Sequence, residues 1–286
     1  MTFFSKLWEQ FIFKALVFVI IPWIILAVVF GLYDLQISNA IVNFDNILGK
    51  IGADFGEAPG YALIVIAITS LFGGLIKNRH KQKIPGYVII ALSLGALIAG
   101  IILAEKKMII ITADFILTLA IFIPATYKYN YKEFRQFSLL VILLAIMNPL
   151  IFVQITKLLT GRVRFRDLVG TDFSLYTPWY SPPGPSVHNA SFPSGHTAMG
   201  WMLLPLIVLV KDRRGRDPIK RLAVFGSITW GFFVAMSRVV IGAHFASDVL
   251  FSTATGIICF IVLYDWIYLR GIIIRAKSKE TSETES

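Results

Sequence analysis

The chain has 286 residues, of which 56 % are hydrophobic before its 21 glycines are counted, whereas soluble domains reach about 45–50 % only with glycine included. Together with a mean hydropathy of +0.73, that composition excludes a soluble globular enzyme and, outside the tail, disorder. The apolar content equals about eight stretches of ~20 residues, each long enough to cross a ~30 Å hydrocarbon layer. The net charge of +10 falls between those stretches, which argues against nucleic-acid binding.

In chain order the predicted spans are 12–33, 61–76, 86–104, 108–127, 137–159, 196–210, 222–241 and 248–269. The first exceeds a signal-peptide core and is read as a retained helix, although Ser38-Asn39-Ala40 loosely fits a cleavage site. Only Glu105, Lys106 and Lys107 separate the third span from the fourth, predicting a tight hairpin or a less regular segment. Asn148-Pro149 predicts a kink, Tyr264, Trp266 and Tyr268 an interfacial belt, and Cys259 a small core residue. The fold class is therefore an all-α polytopic bundle of about eight crossings, a six-helix core plus a possible extra hairpin. One membrane domain is expected over 1–274, its motif-bearing core at 137–272, with a disordered cytoplasmic tail at 275–286.

Placing the N-terminus inside assigns 1–14, 77–83, 128–135, 211–221 and everything from 270 onward to the cytoplasm. Those segments hold 19 of the 27 Lys and Arg, against six in the outer loops. The bias predicts cytoplasmic termini in a plasma (cell inner) membrane.

Three polar clusters then fall on the outer face. Lys157 and Arg164 are two turns apart, so on a continuing helix both project from one side; snorkelling is the plainer role, and Arg162 and Arg166 are read that way. Ser191-Phe192-Pro193-Ser194-Gly195-His196 opens a span, where free N–H groups suit an anion and a simple serine cap is the alternative. His244 and Asp248, four residues apart, are predicted to share one helix face behind Ser237 and Arg238. Several cations, two histidines and a carboxylate near hydrocarbon imply function. They suit phosphoryl transfer, whose transition state spreads negative charge over three oxygens. No carboxylate cluster suited to Mg²⁺ lies beside them.

With these motifs the sequence resembles the type 2 phosphatidic acid phosphatase superfamily, membrane lipid phosphatases related to vanadium haloperoxidases. The family's Lys-x6-Arg-Pro is matched by Lys157 and Arg164 with Phe165 in place of proline, Pro-Ser-Gly-His by Pro193 to His196, and Ser-Arg-x5-His-x3-Asp by Ser237, Arg238, His244 and Asp248. The resemblance implies His244 as nucleophile, Asp248 as its orienting carboxylate and His196 as general acid. It implies phosphate binding by Lys157, Arg164, Ser194, Gly195 and Arg238, with neither metal nor cofactor. The expected function is extracytoplasmic hydrolysis of a lipid phosphate or pyrophosphate through a phosphohistidine, with membrane lipids as partners and no nucleic acid. A phosphotransferase would look the same in these motifs; a lipid-phosphate transporter or flippase would leave both histidines unexplained. His80 and His188 match no motif. Asp114 is read as a group paired within the bundle, and the stiff, aromatic segment 177–185 as a shield for the site or a membrane contact.

Overall fold

The computed structural model describes residues 3–270, so the tail expected at 275–286 lies outside the described residues. The polypeptide is a bundle of helices: α1 (Phe3–Ile41), α2 (Ile47–Phe55), α3 (Ala58–Gly74), α4 (Ile84–Ile102), α5 (Lys106–Ala125), α6 (Arg135–Ala145), α7 (Val153–Thr160), α8 (Phe165–Leu168), α9 (Gly195–Gly200), α10 (Leu206–Leu209), α11 (Pro218–Val240) and α12 (Ala246–Tyr264). Among the described residues seven segments are long and apolar enough to cross a membrane, and Gly195–Leu209 forms a shorter eighth. Phe18, Ile102 and Leu222 are 75–80 % exposed. Such outward-facing apolar chains are stable only where the solvent is itself hydrocarbon.

The segment 84–125 resolves into a hairpin of two regular helices of 19 and 20 residues, each about 28–30 Å long. Its turn passes through Ala104 at φ 55°. Leu119 and Ile123 pack on Val65 of α3, and Gly86 of α4 lets Ile123 approach, since a Cβ there would sit 2.8 Å from its terminal methyl. Pro149 falls within a π-helical stretch, Ile146–Phe152, joining α6 to α7, so the regular α-helix is interrupted where Asn148-Pro149 predicts a kink. Cys259 packs against the main core around Leu140, Leu144 and Met202. Of the expected aromatic belt only Trp266 is exposed; Tyr268 is buried and Tyr264 stacks on it.

Contacts between distant loops show which helix ends share a side. At one end Asn43 N–H donates to Val240 O and Arg166 N–H to Gly242 O, while Lys106 pairs with Asp54. At the other, Gln82 donates to Asn130 and Lys220 to the Lys211 carbonyl. All three polar clusters lie at the first end. Ser38-Asn39-Ala40 is helical, within the final turns of α1. Cleavage there would remove Asp34, which is bound into the site described next.

Candidate active site

Lys157 lies in the last turn of α7, which stops because Gly161 adopts φ 55°. A Cβ on Gly161 would lie 2.2 Å from the Gly184 carbonyl oxygen, so only glycine lets the returning loop close over the helix end. Arg164, three residues on, is extended (φ −78°, ψ 150°) and caps α8. The two cations therefore do not share a continuing helix; the glycine turn brings Arg164 to the cavity Lys157 lines. Phe165 occupies the first position of α8, where proline is favoured, and Arg164 has the backbone a following proline would impose. Here packing substitutes for the ring, because buried Phe165 sits edge-on to Phe245 and beside Phe173.

The cavity, about 840 Å³, is lined at its polar end by Lys157, Arg164, Gly195, His196, Arg238 and His244. Ile64, Ile142 and Leu150 line its apolar end. A Cβ on Gly195 would approach Lys157 Nζ to 3.8 Å, so the missing side chain leaves room between that ammonium and the backbone. Ser194 is fully buried behind this wall, and its Oγ accepts from Thr197 N–H (3.3 Å) and Thr197 Oγ1 (2.9 Å). It is thus a helix cap. Arg238 is 7 % exposed, and its Nε and Nη1 have no hydrogen-bond partner among the described residues.

His244 is not on a helix face as the i,i+4 spacing implied. It precedes Phe245, the N-cap of α12, after a turn through Gly242 at φ 65°, and its N–H donates to Arg238 O. Asp248, at the third position of α12, accepts from Phe245 N–H (2.9 Å), and its Oδ2 lies 3.4 Å from His244 Nδ1. That contact is within ion-pair reach but outside hydrogen-bond geometry. Burial pulls the His244 imidazole down to about 4; Asp248 opposes this, and Arg238 and Lys157 add to it. The ring is neutral near pH 7, which leaves a nitrogen lone pair for attack.

Arg162 is where the expectation of snorkelling fails. It is 1 % exposed and bridges two carboxylates that are 0 % exposed, Asp248 Oδ1 at 2.6 Å and Asp34 Oδ2 at 2.9 Å. It also donates to Ser247 Oγ and the Thr177 carbonyl, and lies 4.1 Å over the Phe245 ring. Ser191 Oγ donates to Asp248 Oδ2 (2.5 Å), so both oxygens of this buried carboxylate are hydrogen-bonded. Arg166, by contrast, is half-exposed and lines the cavity.

Asp34 and Glu57 were not singled out by sequence reasoning, and Ser191 was named only as the first residue of the second polar cluster. Asp34 had a signal, as the one charged residue of α1 after Lys14. Glu57, whose Oε1 is 3.3 Å from His196 Nδ1, had none. His188 is exposed and does not line the cavity, and His80 contacts Tyr127 at the opposite end. Asp114 stays within the hairpin, its Oδ2 without a hydrogen-bond partner among the described residues. Trp179 in the proline-rich segment donates to the Ala27 carbonyl and packs on Phe251, pinning that loop to α1 and α12.

Comparison with protein families matches residues 138–272 to the PAP2 superfamily. No curated protein and no solved structure matches the chain.

Proposed function

We propose that this protein hydrolyses a lipid phosphate or lipid pyrophosphate at the extracytoplasmic face; the match of residues 138–272 to the PAP2 superfamily and the seven candidate membrane spans support a membrane phosphatase. The observation that carries the proposal is the contrast among its buried and half-buried cations. Arg162 is neutralised by Asp34 and Asp248, whereas Lys157, Arg164 and Arg238 line one cavity with no carboxylate within ion-pair distance among the described residues. Three unneutralised cations, one buried and two half-buried, are costly to gather in one cavity unless an anion joins them. The apolar end of the same cavity accommodates a hydrocarbon chain.

In the proposed reaction the neutral His244 attacks phosphorus through Nε2, forming an N–P bond as the P–O bond to the leaving group breaks. Asp248 faces Nδ1, keeps the proton there and stabilises the imidazolium. His196 transfers a proton to the departing oxygen, and the cations and the Gly195 region take up the charge growing on the equatorial oxygens. Water then attacks the phosphohistidine, with His196 accepting its proton, and releases phosphate. Among the described residues no group of three or more His, Cys, Asp or Glu is arranged to hold a metal ion; in this scheme the cations neutralise the phosphoryl charge. The 19-to-6 distribution of Lys and Arg supports the outward orientation.

The test is turnover by the purified protein with a lipid phosphomonoester and a lipid pyrophosphate. Free phosphate should appear with a single lipid present, persist in EDTA and be inhibited by vanadate. His244→Ala should abolish turnover on both substrates, and His196→Ala should cost about 10²–10⁴-fold on the monoester but clearly less on the pyrophosphate, whose leaving phosphate carries its own charge. Phosphate transfer to a second lipid without net release would favour a phosphotransferase, and binding without turnover a transporter.

A further inference from the structure

The general acid of this scheme must hold a proton in a cavity whose charged lining residues are mostly cationic. Lys157 from α7, Arg238 from α11, and Arg164 and Arg166 from the segment after α7 all line it, as does His244, and each disfavours a second proton on a neighbouring imidazole. One carboxylate lines the same cavity: Glu57, at the start of α3. Its Oε1 lies 3.3 Å from His196 Nδ1, and its side chain is 12 % exposed against 23 % for the histidine. The other oxygen is shared. Lys107 Nζ, from the first turn of α5, lies 3.1 Å from Oε2, and Tyr61 Oη donates to Oε2 at 3.3 Å. Both α3 and α5 lie outside the matched segment 138–272.

We propose that Glu57 is the positioning residue for His196: it accepts from Nδ1–H, turns Nε2 to the reacting oxygen and holds the second proton on the ring, while Lys107 sets how much of the carboxylate's charge the ring receives. This rests on the phosphatase reading above. When the P–O bond breaks, the electron pair leaves on oxygen, the Nε2 proton follows it, and the N–H bonding pair stays on the ring as a lone pair. The imidazole is then neutral, with Nδ1–H still directed at Glu57, and ready to take a proton from water in the second step. The hairpin thereby acquires a part in catalysis: it presents Lys107 to the acid's partner. His196–Glu57 and His244–Asp248 form two histidine–carboxylate pairs with opposite tasks, one keeping a proton available and the other keeping a lone pair available.

The experiment uses the full chain in detergent–lipid micelles and measures kcat/KM against pH on a lipid phosphomonoester and a lipid pyrophosphate. Glu57→Gln should lower kcat/KM on the monoester by about 10–100-fold and on the pyrophosphate clearly less. It should also move the basic limb of the profile down by about one pH unit, since an opposite charge at this range raises the imidazole by roughly that much. Lys107→Met removes the cation that competes with His196 for the carboxylate, so its basic limb should move up. In a His196→Ala background Glu57→Gln should add nothing. Equal losses on both substrates with an unmoved limb would overturn the proposal, leaving Glu57 as a tie between α3 and the hairpin. A downward shift in Lys107→Met would also overturn it. His244→Ala separates the two levels: residual turnover there refutes the phosphohistidine reading, whereas a silent His244→Ala with an unmoved Glu57→Gln profile refutes only the role of Glu57.

Discussion

Replacing Arg162 by methionine removes the cation between two carboxylates that are 0 % exposed while nearly keeping its volume. Asp34 keeps the bond donated by Ser247 N–H at 2.9 Å and that donated by Ser247 Oγ, and Asp248 keeps Ser191 and Phe245. Neither keeps a positive partner, because His244 beside Asp248 is neutral near pH 7. Breaking one buried ion pair costs about 3–5 kcal/mol through the charge left behind. Two carboxylates share this arginine, so at least that much is expected, limited by uptake of a proton between them. Unfolding free energy by denaturant titration in micelles, followed by the helical circular dichroism signal, measures it, with Arg166→Met as control. Arg166 is 43 % exposed and pairs only with adjacent Asp167 at 3.7 Å, an interaction worth about 0–1 kcal/mol. Adding Asp34→Asn to Arg162→Met should cost less than the sum of the single changes, by about 0.5–3 kcal/mol. An Arg162→Met protein destabilised no more than the Arg166→Met control would show that Arg162 carries no buried pair and that the network behind His244 is inert.

Gly161→Ala should destabilise the protein by at least about 1–2 kcal/mol for the left-handed backbone alone, plus the 2.2 Å approach to Gly184 O, and should lower kcat/KM by moving Arg164 relative to Lys157; unchanged kinetics would refute the role given to this turn. The acid limb of kcat/KM should lie near pH 4, the value to which burial brings His244: the nucleophile is competent above it and is lost as pH falls through it. After allowance for the substrate's own ionisation near 6, a limb at about 6.5 would mean that the ring is solvated. Arg238→Lys should impair turnover although charge is kept, because the unpartnered Nε and Nη1 form a planar fork that an ammonium cannot reproduce. In a Cys259→Ala background, single cysteines at Val187 and Arg214 should label from outside and from inside, respectively, with an impermeant thiol reagent. Labelling of position 214 from outside would invert the orientation.

The crossings and their approximate number were legible along the chain, because an apolar run of ~20 residues has one low-energy solution in a bilayer, with every backbone group bonded within the segment. The motif side chains were legible for a related reason: charges such as Lys157 and Arg238 beside hydrocarbon are too expensive to be incidental. The hairpin at 84–125 stayed ambiguous, since three charged residues do not say whether a turn can form; Ala104 at φ 55° supplies it. Spacing misjudged the ends of elements. Lys157 and Arg164 were placed on one helix and His244 on another, but glycines at 161 and 242 with positive φ interrupt the periodicity on which such counts depend. Arg162 illustrates the deeper limit. Three arginines alternate at 162, 164 and 166, and only one meets Asp34, 128 residues earlier in the chain, and Asp248, 86 later. Glu57 and His196 are likewise brought together from separate helices. Local pattern records what a residue must do with its neighbours in sequence and with lipid. Which charge is neutralised and which is left for a substrate depends on partners supplied by other helices, and helix packing alone determined that.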